Sequence, residues 1–225
     1  MILVTGGSGF VGSHLIQSLL EDREKVVNID IKCPSHDRRE FLRWDIVNPD
    51  PPVSSIEETY HLAAIPWTRV KNESDWFAET QQAIRVNALG TYNILQLESE
   101  AFIFSSTANV YGNGRQFKED SPKRISSPYG YSKAIAEGMI ELSGEKYTIF
   151  RFGTVIGPRG RCFPNRLVWC AIHDEPVKLF NNGDTYRDLV DVQDIVSALK
   201  VGFHLDNGVY NVSSGTEISG LELAK

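Results

Sequence analysis

Ile2-Leu3-Val4-Thr5-Gly6-Gly7-Ser8-Gly9-Phe10-Val11-Gly12 decides the fold of this chain. The apolar start reads as a short buried strand, and Val11, Leu15 and Leu19 recur at helical spacing just beyond it. Between strand and helix lies Gly7-x-Gly9-x-x-Gly12. Glycines there permit a tight turn, let the backbone at Gly9 touch a pyrophosphate, and let the helix pack closely on the strand at Gly12. The helix N-terminus adds N–H donors and positive potential for phosphate. A glycine motif alone would only mark a turn, so its context carries the weight. Asp30 closes a second apolar run, Val26–Ile29, 18 positions beyond Gly12. A carboxylate at that place accepts hydrogen bonds from an adenosine ribose and repels a 2′-phosphate, which favours NAD over NADP. Lys32 with Arg38 or Arg39 would soften the preference by folding over the ribose.

Further runs, Phe41–Trp44, Tyr60–Ala64, Phe102–Phe104 and Thr148–Phe152, read as strands, several apolar enough to be buried on both faces. Ile84/Leu89/Tyr92/Leu95 and Ala134/Ile135/Met139/Leu142 read as apolar stripes of intervening helices. Strand and helix in alternation predict an α/β fold, a doubly wound parallel sheet of Rossmann-like type. At ~150 residues per domain, 225 residues make one domain and part of a second. Gly157, Pro158, Gly160, Pro164 and Pro176 break the pattern, ahead of an expected strand Val177–Phe180 and a helix Val192–Phe203. The expected division is a dinucleotide-binding domain at 1–156 and a partial substrate lobe at 157–225, with some elements of the latter returning to the sheet. Ser219-Gly220-Leu221-Glu222 is a capping box only three residues before Lys225. So short a stub is not expected to hold a helix, and the lobe is expected to be abbreviated.

Twenty-nine acidic against 23 basic residues give a net charge of −6 with the signs interspersed, which argues against nucleic acid or an anionic membrane as partner. Cys33, Cys162 and Cys170 are too few for a disulfide framework and suit a reducing compartment. No stretch reaches the ~18 apolar residues of a membrane span, so the expected setting is the cytoplasm. His14, His36, His61, His173 and His204 are scattered, and no metal site is expected.

Two clusters carry candidate chemistry. Ser105-Ser106-Thr107 ends a strand, where chemistry sits in such sheets. Downstream, Pro128-Tyr129-Gly130-Tyr131-Ser132-Lys133 starts a helix on which Tyr129 and Lys133, four apart, share a face that Tyr131 does not. A neighbouring ammonium and the positive ring of an oxidised nicotinamide would favour the Tyr129 phenolate, making it a base near neutrality.

Beyond these, Asp45-Ile46, His61-Leu62-Ala63-Ala64, Asn87-x-x-Gly90-Thr91, Val110-Tyr111-Gly112, Arg151-Phe152 with Val155-x-Gly157-Pro158, and Arg187-Asp188-x-Val190-x-Val192-x-Asp194 occur in one order. The ensemble resembles the extended short-chain dehydrogenase/reductases, within them the NAD-dependent nucleotide-sugar epimerase/dehydratase family, over nearly the whole chain. The resemblance implies that Gly6, Gly9, Phe10, Val11 and Gly12 line the pyrophosphate and that Asp30 holds the adenosine ribose. Asp45 and Ile46 would border the adenine, while Leu62, Ala63, Ala64, Asn87, Ser105 and Phe152 would lie beside the cofactor. Tyr129 and Lys133 would meet the nicotinamide end, with Thr107, Tyr129 and Lys133 catalytic. Thr107, Thr154 and Arg187 would face a nucleotide-sugar substrate, Arg187 at its diphosphate or nucleoside side. A local ion pair with Asp188 is the other use open to Arg187.

Family 4,6-dehydratases are similar but place an Asp-Glu pair after the catalytic threonine; here those positions are Ala108 and Asn109. A decarboxylase that carries a glutamate nearby is likewise disfavoured. The resemblance therefore implies a 4-epimerase working through a transient 4-keto sugar. A sugar-nucleotide reductase or dehydrogenase, and a non-catalytic NAD- or nucleotide-sugar-binding protein, are the alternatives. Thr154 stands where the family commonly has asparagine, Pro66 where galactose epimerases can have lysine, and Trp67–Trp76 matches no subfamily. Homodimer formation through helices near Phe77–Leu97 and Ser127–Ser143 is also implied.

Overall fold

A computed structural model describes residues 1–34, 40–66 and 73–225 of the chain. Arg38, Arg39 and His36 lie outside the described residues, as does the start of the Trp67–Trp76 segment. Among the described residues ten strands form in chain order: β1 (Ile2–Thr5), β2 (Val26–Asp30), β3 (Phe41–Arg43), β4 (Glu58–His61), β5 (Ala101–Thr107), β6 (Tyr147–Phe152), β7 (Thr154–Ile156), β8 (Tyr186–Asp191), β9 (Gly208–Val212) and β10 (Glu217–Ser219). The helices are α1 (Phe10–Glu21), α2 (Glu73–Ala83), α3 (Gly90–Leu95), α4 (Pro128–Leu142), α5 (Phe163–Ile172), α6 (Val192–Val201) and α7 (Gly220–Leu223).

Seven strands make one sheet in the order β3-β2-β1-β4-β5-β6-β9, every neighbouring pair parallel. This is the doubly wound architecture the alternating pattern predicts. β1 sends the chain outward to β2 and β3, and β4 then restarts on its other side. That reversal opens a crevice beyond the carboxyl ends of β1 and β4, where ligands bind in such sheets. β10, β8 and β7 form a second, three-stranded sheet. β9 lies between β8 and β10 in sequence yet pairs with β6, so the last quarter of the chain is shared between both sheets.

Alternation along the strands builds two cores. Val4, Tyr60, Ile103 and Phe150 face Leu15 and Leu19 of α1 and Ile195 and Leu199 of α6. Leu3, Ile29, Phe102, Phe104 and Ile149 face Ile94 of α3 and Ala136 and Ile140 of α4.

Several local expectations are corrected. β4 stops at His61, so Leu62–Ala64 belong to a loop rather than to the strand. α2, a π-helical stretch Ile84–Leu89 and α3 run on without a break. The wider π turn rotates the helix face, so Asn87, Ala88, Thr91, Ile94 and Leu95 are buried while Leu89 and Tyr92 stand in solvent. α4 buries Ser132, Lys133, Ala136, Glu137 and Ile140 rather than the Ala134/Ile135/Met139/Leu142 stripe, and Leu142 is exposed. Apolar periodicity misses that face because two of its residues are charged. No strand forms at Val177–Phe180; left-handed φ at Asn181, Asn182 and Gly183 instead closes a short 3₁₀ turn. At the C-terminus α7 does form a single turn, with both capping-box hydrogen bonds made and Gly220 N–H donating to Thr185 O at 3.0 Å. Tertiary attachment supplies what so short a helix lacks in isolation.

Gly12 shows how tightly α1 sits on the first turn: a Cβ there would lie 2.3 Å from Gly6 O and 2.7 Å from Gly7 Cα. Both neighbours are backbone, so the helix itself must shift. Gly12→Ala is expected to cost about 2 kcal/mol and to lower Tm by roughly 4–8 °C in thermal denaturation. An unchanged Tm would show that the turn has slack.

Candidate functional site

A cleft of about 3470 Å³ runs across the carboxyl ends of the central strands toward the three-stranded sheet. A pocket for one small ligand occupies ~300–1,000 Å³, so a dinucleotide and a second ligand have room together. Gly6, Gly9, Phe10, Asp30, Asp45, Ile46, Leu62, Ala63 and Ala64 line one part of it. Thr107, Tyr129, Phe152, Thr154 and Arg187 line the other. Val11, Gly12, Asn87, Ser105 and Lys133 do not face the cleft; they act, if at all, from behind it.

The first part is built around backbone. Gly6 turns the chain at φ +73°, a conformation side chains resist, and donates its N–H to Ile29 O at 2.8 Å. Gly9 is the N-cap of α1 and has no side chain to satisfy the leading N–H groups. It is exposed, and a Cβ on it would meet only Gly6 O, at 3.0 Å, so the space its missing side chain leaves belongs to the cleft. Asp30 accepts from Ser8 N at 3.0 Å and Lys32 N at 2.9 Å, which holds its carboxylate beside that turn. Open helix-end amides and an anchored carboxylate are the donor and acceptor set a dinucleotide needs.

A buried web holds the loop after β4 against this turn. Thr91 Oγ1 donates to Asn87 O at 2.6 Å and so accepts from His61 Nε2–H at 2.9 Å. His61 Nδ1 then accepts from Thr5 Oγ1 at 2.7 Å, and Thr5 Oγ1 accepts from Ala63 N at 3.2 Å. Burial first, and Lys133 second, push the His61 pKa down to about 3, so the ring is neutral in the tautomer this chain of donors requires. The Asn87 side chain binds Ile65 N at 2.8 Å, Ile65 O at 3.1 Å and Ser132 Oγ at 2.9 Å. Asn87, on the helix behind the cleft, thus clamps the loop from inside.

Thr107 and Tyr129 both line this part of the cleft. Thr107 caps the 3₁₀ turn Ala108–Tyr111 by accepting from Asn109 N at 3.2 Å, which leaves its own O–H free to donate. Lys133 stands behind this wall. It is fully buried, donates from Nζ to Ser105 O at 2.7 Å and lies 4.4 Å from the centre of the Phe104 ring. Burial pushes Lys133 down to about 7, partly countered by Glu137, and burial pushes Tyr129 up to about 12, so Tyr129 is a phenol at neutral pH.

Arg187 and Asp188 do not pair with each other. Arg187 Nη1 donates to Thr185 Oγ1 at 3.0 Å and its guanidinium lies 5.0 Å from the centre of the Phe163 ring. Asp188 accepts from Ser214 N, Ser214 Oγ and Gly215 N at 2.6, 2.8 and 2.9 Å. Arg187 thus keeps its charge toward the cleft. Sequence reading passed over Arg115, which lines the same end, binds Glu217 at 2.5 Å and stacks 4.1 Å from the Tyr186 ring centre. Only the fold brings residues 115, 186 and 217 side by side. Among the described residues, no group of three His, Cys, Asp or Glu side chains stands together to hold a metal, and no helix is long and apolar enough to cross a membrane.

Lys133 makes a pH-dependent prediction. Its pKa falls from the ordinary 10.5 to about 7 on folding, so below pH 7 the folded state carries the full penalty of a buried charge. The penalty is relieved as pH rises from about 7 toward 10.5. Relative to wild type, Lys133→Met is therefore expected to be most favourable in Tm at pH 6–7 and to lose that advantage by pH 10. A Tm difference that does not vary with pH would refute the assignment.

Comparison with known proteins identifies the family. The NAD dependent epimerase/dehydratase family matches residues 2–213. A putative UDP-glucose 4-epimerase of Methanocaldococcus jannaschii is 31% identical over 99% of this chain and 80% of its own. Bovine dTDP-D-glucose 4,6-dehydratase is 30% identical over 100% of this chain and 71% of its own. The structure of MoeE5 in complex with UDP-glucose and NAD superposes with a TM-score of 0.87 at 29% identity, covering 99% of this chain and 79% of that one. With a glycine turn, a strand-end acid and a Thr/Tyr wall set in one cleft, the chain belongs to the family of NAD-dependent epimerases and dehydratases.

Proposed function

We propose that the protein is a nucleotide-sugar 4-epimerase. The observation that carries this reading is that Thr107 and Tyr129 line one cleft while the two positions after Thr107 carry no carboxylate. Two acids at the substrate end are engaged: Asp188 accepts from three donors, and Glu217 binds Arg115 and Gln116 N. Elimination of water needs its own acid and base, and the two positions after Thr107 offer Ala108 and Asn109. This supports hydride chemistry without elimination, and with it 4-epimerisation over dehydration or decarboxylation.

The amides from Gly9 through Gly12 would hold the cofactor pyrophosphate, Asp30 the adenosine ribose, and Asp45 and Ile46 the adenine side. Bound NAD supplies a hydride acceptor and donor for the sugar's C4 carbon. Tyr129 O–H, in the lining of the cleft, would exchange a proton with the C4 oxygen. Thr107 O–H, its acceptor side already used by Asn109 N, donates to that same oxygen and fixes its position. The raised pKa of Tyr129 makes it a reluctant base in the ligand-free protein, and a positive charge brought into the cleft would lower it. Arg187 offers a planar cation to the substrate diphosphate. Three unpaired cysteines support a reducing, cytoplasmic setting.

The test is incubation with a panel of nucleotide sugars, UDP-glucose included, and chromatography for C4 epimers, with NAD retention followed by native mass spectrometry. Tyr129→Phe is expected to lower conversion by at least ~10²-fold while NAD binding persists. Accumulating NADH would instead assign a dehydrogenase, and full activity in Tyr129→Phe would remove Tyr129 from the chemistry.

The same reading includes a homodimer. Trp76, Phe77, Leu89 and Tyr92 of the α2–α3 helix and Tyr131 and Leu142 of α4 are exposed, an apolar surface of the kind that pairs two copies. Sedimentation velocity is expected to give a dimer that Leu89→Glu with Tyr92→Glu converts to monomer. A monomeric wild type at tens of micromolar would exclude the pairing.

A further inference from the structure

Glu137 is buried with no exposed surface, lies one helical turn beyond Lys133, and has no role in the chemistry above. Four donors converge on it. Arg151 grips it from two nitrogens, Nε to Oε1 at 3.0 Å and Nη2 to Oε2 at 2.8 Å. Lys123 Nζ reaches Oε2 at 2.8 Å, and Ser106 Oγ donates to Oε1.

These donors lead to two parts of the cleft. Ser106 immediately precedes Thr107, and Lys133 binds Ser105 O, so α4 holds two consecutive residues at the end of β5. Arg151 extends from Glu137 to Tyr111 Oη at 2.8 Å and Glu119 O at 3.0 Å. Tyr111 Oη donates onward to Asn211 Oδ1 at 2.7 Å, and Asn211 Nδ2 donates to Phe117 O at 3.2 Å. Lys123 belongs to the same connection between the 3₁₀ turn and α4. That connection supplies Asn113, Arg115 and Phe117 to the substrate end of the cleft.

We infer that Glu137 is a positioning residue: through Ser106 it sets the end of β5 at Thr107, and through Arg151 and Lys123 it anchors the 112–127 loop that walls the substrate end. Burial opposes the Glu137 carboxylate, yet hydrogen bonds from Arg151, Lys123 and Ser106 hold its pKa below the ordinary value, so the anchor is charged across the working range. A charged, forked attachment has directional geometry that an apolar contact lacks. The inference deepens the proposed function, since it gives the loop a role in holding the nucleotide sugar.

The test uses the full chain and two variants, Glu137→Gln and Lys123→Met. The second leaves the Glu137–Arg151 fork in place and cuts only the partly exposed arm, so it keeps the test alive if Glu137→Gln fails to fold. Hydrogen exchange without added ligand is expected to quicken at least tenfold in peptides spanning 112–127, with peptides of β1 and β4 unchanged. In the same samples, UDP as probe is expected to bind about tenfold more weakly, with NAD affinity within twofold. Exchange that rises uniformly across the protein, or does not change, overturns the inference, as does an equal loss of UDP and NAD affinity. Failure of wild type to epimerise any sugar would overturn the proposed reaction but leave the exchange result standing.

Discussion

One polar stripe, docked between a helix and the end of a strand, organises the reactive half of this protein. Tyr129, Lys133 and Glu137 recur every four residues along α4, so all three fall on one side of the helix. Lys133 and Glu137 are driven into the interface, where each must find a partner because an unpaired buried charge is prohibitively costly. The backbone at Ser105 and the hydroxyl of Ser106 provide those partners. A shift of α4 along β5 would break both attachments at once. The register of the helix, and with it the position of Tyr129, is held by these polar attachments together with the apolar contacts of Ala136 and Ile140.

The cofactor half is organised differently, by backbone geometry and a directional hydrogen-bond chain. Gly6, Gly9 and Gly12 bring β1 and α1 close enough that the turn itself presents amides to the cleft. Thr5, His61, Thr91 and Asn87 then tie that turn to the loop after β4. Because His61 is neutral and each hydroxyl both donates and accepts, the web has one consistent direction. The two halves meet at Ser132, which accepts from Asn87 next to the Lys133 that holds β5. The loop beside the cofactor and the helix bearing Tyr129 are thereby mechanically linked.

Much of this was legible in the chain. The glycine turn, the strands and the helix that bears Tyr129 and Lys133 rest on local features: φ, alternation and helical spacing. The misreadings have separate physical causes. The Ile84/Leu89/Tyr92/Leu95 stripe assumes an unbroken period of 3.6, and the π turn changes the phase. The Ala134/Ile135/Met139/Leu142 stripe assumes that apolar residues face the core, whereas α4 turns Lys133 and Glu137 inward because partners await them. Asn87 and Lys133, which the resemblance puts beside the cofactor, also bind inside the protein, to Ile65 and Ser132 and to Ser105.

What the sequence by itself determined is the kind of fold, the identity of the phosphate turn and the residue types that meet at the cleft. Steric limits on glycine and the geometry of helix and strand act over a few residues, and a linear reading can apply them. Only the tertiary structure decided which charges are internal, that Arg187 turns to Thr185 and Phe163 instead of Asp188, and that Arg115 joins the substrate end through Glu217. Those outcomes depend on partners as many as 102 positions apart in the chain. The free energy of a buried or half-buried charge is set by whatever the fold brings beside it, and no local rule carries that information.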